Sequence, residues 1–443
     1  MRRISVFLAG VFVPLLFCFS CGSASSAVQS SFVPEGEEVA FARPESISAG
    51  DLPDGFASVD MSLKVSADSA KVVSTKSELL SALRRGSVVY VNGMIDLSEG
   101  MLPDEAGGSN PALDSFVKSR SRFSTYAEYK EAYAAACSFS TDDTSNGRKS
   151  SLYDTMHSMN IAYRDKIRLS VPSNTVIIGL TAESGFFGGA VLIDGVSNVV
   201  LRNLVIRDAY DPFPHHEDND GYNAQHDAVS VSGSKNVWID HCTLYDTRTI
   251  SYVLTGGKSK EKWQTYDGLL DITGSCDKVT VSYCKFMRHD KVMLIGSSDS
   301  ESISPDSRKV TLHHNYFYNC GQRLPMVRLT KVHTYNNLFE VDKTAPYDSQ
   351  YALGVRYNAL IQSEKNYYGS GIKYSFSGHQ SKQGTVYSVG DVDRSSNGKK
   401  SGQFKTSKSA LFSIPYPYAA LPVDEVTEYV RANAGAGTIP VVR

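Results

Sequence analysis

Tryptophan is nearly missing from this chain, with two residues in 443 against 25 tyrosines, which points to a Tyr-rich surface or groove. Net charge is nearly missing too. At −2, the formal balance excludes a global field that would gather a polyanion, so an acidic partner must be held by a local basic patch, and no nucleic-acid partner is expected. Cysteine is sparse and unpatterned. Beyond the N-terminal leader, Cys137, Cys242, Cys276, Cys284 and Cys320 form an odd set with no CxxC pair. That excludes a disulfide framework or a zinc site and leaves buried free thiols as the expectation. What remains, 41% hydrophobic and 21% charged, is ordinary for a globular protein long enough for one large domain or two.

The first residues read as an address. Arg2 and Arg3 precede an apolar run, Ile4 to Phe19, that has the form of an export signal and is shorter than a membrane-spanning helix needs. Ser20 before Cys21, followed by Gly-Ser-Ala-Ser-Ser, resembles a bacterial lipoprotein cleavage and acylation site, with Cys21 as the lipidated residue. This divides the chain into a signal peptide (1–21), a flexible tether (22–50) and a main domain (51–443). The expected location is the periplasm, the outer membrane or the cell surface, or the medium if no anchor is added. Membrane contact would be through the lipid alone, and the protein is expected to be a monomer.

From residue 52 the text is globular. Ser77 to Gly86 reads as a short helix ended by a glycine, and Val88 to Leu97 as a strand with a turn at Asn92-Gly93. Residues 100–165 read as an insertion, helical over Thr125–Ala136, with a polar loop from Ser140 to Ser151. Then the chain repeats itself. Asn198–Ile206, Asn236–Leu244, Lys278–Phe286, Lys309–Phe317 and Lys331–Phe339 can be laid over one another, and a looser copy ends Asn366-Tyr-Tyr. Successive copies are 38, 42, 31, 22 and 29 residues apart, as coils of about 22 residues with loop insertions would give. Apolar residues alternate within each copy, and nothing between copies is helical enough for a crossover helix. The fold expected is all-β: a right-handed parallel β-helix, a solenoid with loop insertions and a short helical insertion near its N-terminal end. Equivalent residues would then stack about 4.8 Å apart. One such column is Leu204, Cys242, Cys284, Asn315, Asn337, Asn366, whose asparagines could form a hydrogen-bonded ladder.

Five motifs occur in register with this repeat: Val237-Trp-Ile-Asp-His-Cys242, Asp267-Gly-x-x-Asp271, Gly296-Ser-Ser-Asp299, His313-His-Asn315 and Arg323-x-Pro-x-x-Arg328. Together they resemble the pectate lyases of polysaccharide lyase family 1, over nearly all of residues 70–440, including the near-terminal Ala434-Gly-Ala-Gly437. The resemblance implies calcium (Ca2+) as cofactor, held by Asp227, Asp267 and Asp271, and polygalacturonate as the acidic polysaccharide partner. It implies Arg323 as the catalytic base and Lys291 and Arg328 as holders of substrate carboxylates. Gln225 stands where some members carry an additional acidic residue. Calcium prefers six to eight oxygens, carboxylates among them. Asp267 and Asp271 on one straight strand would lie about 13 Å apart, so the chain must bend near Gly268 to bring them to one ion.

The implied reaction is β-elimination: the base removes the C5 proton beside the C6 carboxylate and the O4 glycosidic bond breaks. An arginine base is ordinarily charged, with a pKa above about 12, so an alkaline optimum is expected. Pectin lyase chemistry on methylated substrate and a non-catalytic glycan-binding β-helix are the alternatives. Neighbouring residues of a strand point to opposite faces. Asp240 with His241, and His313 with His314, are therefore expected to face apart and serve the scaffold, and no Ser-His-Asp triad can be argued.

Overall fold

The computed structural model describes residues 44–66, 70–103, 108–255, 260–398 and 400–443. Signal peptide, Cys21 and all but the last seven residues of the tether lie outside them.

Among the described residues three long sheets run side by side, with parallel pairing throughout. The first has eleven strands, from Lys71–Val73 to Lys405–Thr406. The second, nine strands from Arg168–Ser170 to Lys400–Ser401, carries the candidate site. The third has nine strands from Met94–Asp96 to Val392–Asp393. Each coil contributes one strand to each sheet in turn, as in Val229–Ser232, Lys235–Asp240 and Thr243–Tyr245. This is a parallel β-helix. The pairing registers reproduce the repeat read from sequence: Val199 faces Val237, Val237 faces Val279, Val279 faces Val310, and Val310 faces Val332.

The core follows from that register. Alternate side chains stack inward as Val199, Val237, Val279, Val310 and Val332, all buried. Phe286, Phe317, Phe339 and Tyr368 stack face to face with centroids 5.0, 4.9 and 4.8 Å apart, each pair adding about 0.5–1.5 kcal/mol beyond its buried area. The asparagine ladder is present. Asn315 Nδ2 donates to Asn337 Oδ1 and Asn337 Nδ2 to Asn366 Oδ1, both at 2.9 Å, and the run continues to Asp391. Cys242 and Cys284 are free and buried, as are Cys137, Cys276 and Cys320.

Four features depart from the sequence reading. The insertion holds three helices, Pro111–Arg120, Tyr126–Cys137 and Tyr153–Ile167, not one. They share a core with a four-stranded sheet, His215–Glu217, Gly221–Asn223, Lys260–Trp263 and Ser251–Leu254. The tyrosines serve this and the other cores more than a surface: Tyr126, Tyr129, Tyr133, Tyr163 and Tyr222 are fully buried. Ile47, inside the stretch read as tether, is also fully buried, and its backbone pairs with Pro440 and Val442. Finally, Asp240 and His241 do not face apart. His241 has φ +48°, and its Nδ1 lies 2.8 Å from Asp240 Oδ2. His314 (φ +55°) meets His313 in the same way, Nδ1 to Nδ1 at 2.8 Å. Asn203, His241, Tyr283, His314, Asn336 and Lys365 form one column, every member left-handed, because the chain turns there from the first sheet to the third. Strand alternation stops at such a residue.

Candidate functional site

The candidate residues arrive from four successive coils of the second sheet. Asp227 precedes strand Val229–Ser232, Asp267 and Asp271 flank the start of Leu270–Thr273, Lys291 precedes Leu294–Ile295, and Arg323 and Arg328 flank Met326–Val327. Isolated parallel bridges set Gly268 beside Lys291 and Lys291 beside Gln322, so the turns ahead of these strands stack as the strands do.

Asp227 and Asp271 converge at Gly268. A Cβ built there would lie 2.5 Å from Asp271 Oδ1 and 2.8 Å from Asp227 Oδ1, so no other residue fits between the two carboxylates. The requirement is close approach, not a left-handed turn. Asp227 accepts from the Ser230 hydroxyl at 2.6 Å and from the Gly268 N–H at 3.0 Å. Asp271 Oδ1 accepts from the Leu294 N–H at 2.9 Å. Dense surroundings push the Asp227 carboxyl up to about 6, and the charge of Asp267 adds to this against the opposing pull of Ser230, Gly268 and Lys291. Burial also raises Asp271 well above the usual carboxylate range, with Asp227 and Asp267 contributing and Leu294 and Arg323 opposing. Two carboxylates that resist joint ionisation mark a place where added positive charge is favourable.

Asp267 departs from the expected arrangement. Its Oδ1 is 2.8 Å from Lys291 Nζ, and that ammonium also donates to Asn223 Oδ1 at 2.7 Å. Among the described residues no three His, Cys, Asp or Glu side chains form a group that could hold a metal ion. Of the three carboxylates expected at one calcium site, Asp227 and Asp271 stand together at Gly268, while Asp267 is ion-paired with Lys291 beside them. A lysine reaching across coils could not be foreseen from spacing within the chain. The cradle at Gly268 nonetheless fits a hard cation in donor chemistry and charge.

The three cations differ. Lys291 is buried and doubly engaged. Arg328 donates from Nε to Asp299 at 3.0 Å and from Nη1 to the Gly296 carbonyl at 3.2 Å. Arg323 has no side-chain hydrogen bond or ion pair with any described residue, yet its charge is felt by both Asp271 and Tyr351. It is left-handed (φ +58°), and its carbonyl accepts from Met293 N at 2.8 Å. Gln225 is exposed, and its backbone N–H is spent on Asp211. Sequence reading missed Asn223, Asp246 and His289. Asn223 comes from the sheet beside the helical insertion and carries no motif. His289 lies in a turn, two residues ahead of Lys291.

Asp240 and His313 end strands of the first sheet and His241 and His314 follow them at the turn, away from the strands that bear the site. Asp240 binds Arg202 Nε at 2.8 Å and Ser282 Oγ at 2.7 Å, and Tyr283 lies stacked between His241 and His314. Burial holds His314 well below its ordinary value, with His313 and His241 adding to the effect, and burial also lowers His333. The unfolded chain takes up these protons near pH 6.5 and the folded chain only at lower pH. Stability from both groups is therefore present above about pH 6.5 and lost as pH falls. Each group costs up to about 1.4 kcal/mol per pH unit. Asp227 and Asp271 act in the opposite direction, so the test is a difference: between pH 7 and pH 5 the urea midpoint of wild type should fall relative to that of His314→Gln, and a constant difference would contradict this.

Similarity to known proteins agrees with the geometry. The pectate lyase family model matches residues 141–439. Pectate lyase D of Dickeya chrysanthemi is 37% identical over 283 residues, spanning 61% of this chain and 72% of that protein. The pectate lyase of Bacillus subtilis (strain 168) is 30% identical over 320 residues, 68% of this chain and 71% of that one. Among solved structures, a thermostable pectate lyase superposes with a TM-score of 0.69 at 28% identity, covering 87% of this chain and 97% of its own. The pectate lyase of Acidovorax avenae subsp citrulli, at 23% identity, shares the fold with a TM-score of 0.73, covering 91% and 99%. With the family model matching well over half of its length, and its polar residues gathered on one sheet of a parallel β-helix, this chain belongs to the pectate lyase family of polysaccharide lyases.

Proposed function

We propose that the protein cleaves polygalacturonate by calcium-dependent β-elimination, with Arg323 as the C5 base. The observation that carries this is the convergence of Asp227 and Asp271 at Gly268, with a guanidinium that no described residue pairs lying on the same sheet, within electrostatic reach of Asp271. Calcium, when bound by Asp227 and Asp271 with Asp267 as third ligand, would neutralise the substrate carboxylate beside the reacting carbon. Lys291 would exchange Asp267 for a substrate carboxylate, and Arg328, oriented by Asp299, would offer its remaining donors to another. Arg323, whose side chain no described residue holds, would take the C5 proton in its neutral form, which becomes less rare as pH rises. A pectate lyase of the same fold has been solved bound to a hexasaccharide, in keeping with an oligomeric substrate.

The test is ultraviolet absorbance of the unsaturated product, with polygalacturonate and calcium, with and without chelator. A chelator-sensitive rise is expected. No rise would support the glycan-binding alternative, and a chelator-resistant rise with methylated pectin preferred would support pectin lyase. The leader also supports export and anchoring at Cys21. Cys21→Ser should move the protein from the membrane fraction to the soluble fraction of the producing cells, and an unchanged distribution would reject the anchor.

A further inference from the structure

The peptide joining Asp267 to Gly268 is held at both ends. Its N–H, on Gly268, donates to Asp227 Oδ1 at 3.0 Å. Its carbonyl, on Asp267, lies 2.8 Å from Nε2 of His289. A carbonyl can only accept, so Nε2 carries the hydrogen. The other ring nitrogen, Nδ1, faces the carboxylate of Asp246. His289 and Asp246 are both buried, at 2% and 1% exposure, so neither is placed to meet substrate. Nothing in the elimination chemistry uses them, yet they sit directly behind a peptide whose two residues define the candidate cation cradle.

We propose that His289, backed by Asp246, is a positioning residue that fixes the Asp267–Gly268 peptide and thereby sets the geometry of the calcium site; this rests on the calcium reading above. Rotation of that peptide would withdraw the Gly268 N–H from Asp227 and swing the Asp267 side chain away from the cradle. His289 prevents it from the carbonyl end. The same short segment continues to Lys291, whose backbone pairs beside Gly268, so one buried ring aligns an anionic and a cationic residue of the site together. The arrangement is that of residues behind metal ligands, whose loss typically costs about 10–100-fold in metal affinity.

The experiment compares His289→Gln with His289→Asn in the full-length protein. A glutamine amide reaches the position of Nε2 and can still donate to the Asp267 carbonyl. An asparagine amide reaches only the position of Nδ1 and can serve Asp246 alone. Calcium affinity is read by titration calorimetry, with circular dichroism to confirm folding. His289→Asn should bind calcium at least tenfold more weakly than wild type, and His289→Gln should recover most of the loss. A packing role would move stability in both variants without separating their calcium affinities. Equal affinities in the two folded variants would overturn the proposal. In wild-type protein labelled with 15N-histidine, the His289 Nε2 proton should exchange slowly and its signal should move on calcium addition. Fast exchange or an unmoved signal overturns the proposal even if neither variant folds. If wild-type protein binds no calcium, the calcium reading falls and this inference with it. If wild-type protein binds and the variants bind equally, the inference alone falls.

Discussion

Arg323→Lys should fold normally and lose lyase activity by about 10²–10⁴-fold in kcat, the usual contribution of a positioned acid–base group. That corresponds to about 3–5 kcal/mol of transition-state stabilisation. The fold should survive because the Arg323 guanidinium makes no hydrogen bond or ion pair with any described residue, so its removal leaves no buried partner stranded. Lysine keeps the charge but not the reach or the planar fork, so a purely electrostatic role for Arg323 would leave much of the activity intact. The measurement is initial rate on polygalacturonate with saturating calcium, together with the thermal midpoint. Near wild-type turnover would remove Arg323 from the chemistry. Arg328→Lys makes the contrast. Arg328 is oriented by Asp299 and the Gly296 carbonyl, so that substitution should raise KM more than it lowers kcat.

Asp271→Asn should act in opposite directions on stability and on function. The Asp271 carboxyl is held well above the usual range by burial and by the charges of Asp227 and Asp267. A folded-state pKa above the unfolded value means that ionisation at neutral pH works against the fold. Asparagine keeps the shape and can still accept from the Leu294 N–H, but it carries no charge. In chelator the variant should therefore melt above wild type. With calcium the order should reverse. Wild type should gain stability as ligand binds the native state, about 2.7 kcal/mol at a hundredfold excess over Kd, while the variant gains little and its activity collapses. Differential scanning calorimetry with and without calcium reads both effects. A variant less stable than wild type in chelator would contradict the electrostatic account of the Asp227–Asp271 pair, and a preserved calcium-induced shift would remove Asp271 as a ligand.

The repeat, and with it the solenoid, was legible in the chain because a parallel β-helix writes its register into the sequence: the spacings of 38, 42 and 31 residues are the very offsets at which Val199, Val237, Val279 and Val310 pair. The asparagine ladder was legible for the same reason. The helical insertion was under-read because Pro111–Arg120 and Tyr153–Ile167 are more polar than the alanine-rich Tyr126–Cys137, although apolar residues recur in both at helical spacing. They are helices because Phe116, Tyr163 and Phe213 pack together beneath them. The relation of His241 to Asp240 was misjudged because a left-handed residue breaks strand alternation, and left-handedness is imposed by the turn between sheets.

For the candidate site, motif and repeat were enough to place Asp227, Asp267, Asp271, Lys291, Arg323 and Arg328 on consecutive coils of the second sheet. How these residues pair emerged only in the folded chain: Asp227 with Asp271 across Gly268, Asp267 with Lys291, Arg328 with Asp299, and Arg323 with none of the described residues. Spacing along a coil fixes which turn a side chain leaves from. Its partner is chosen across coils by reach, burial and charge, and those exist only once the coils are stacked.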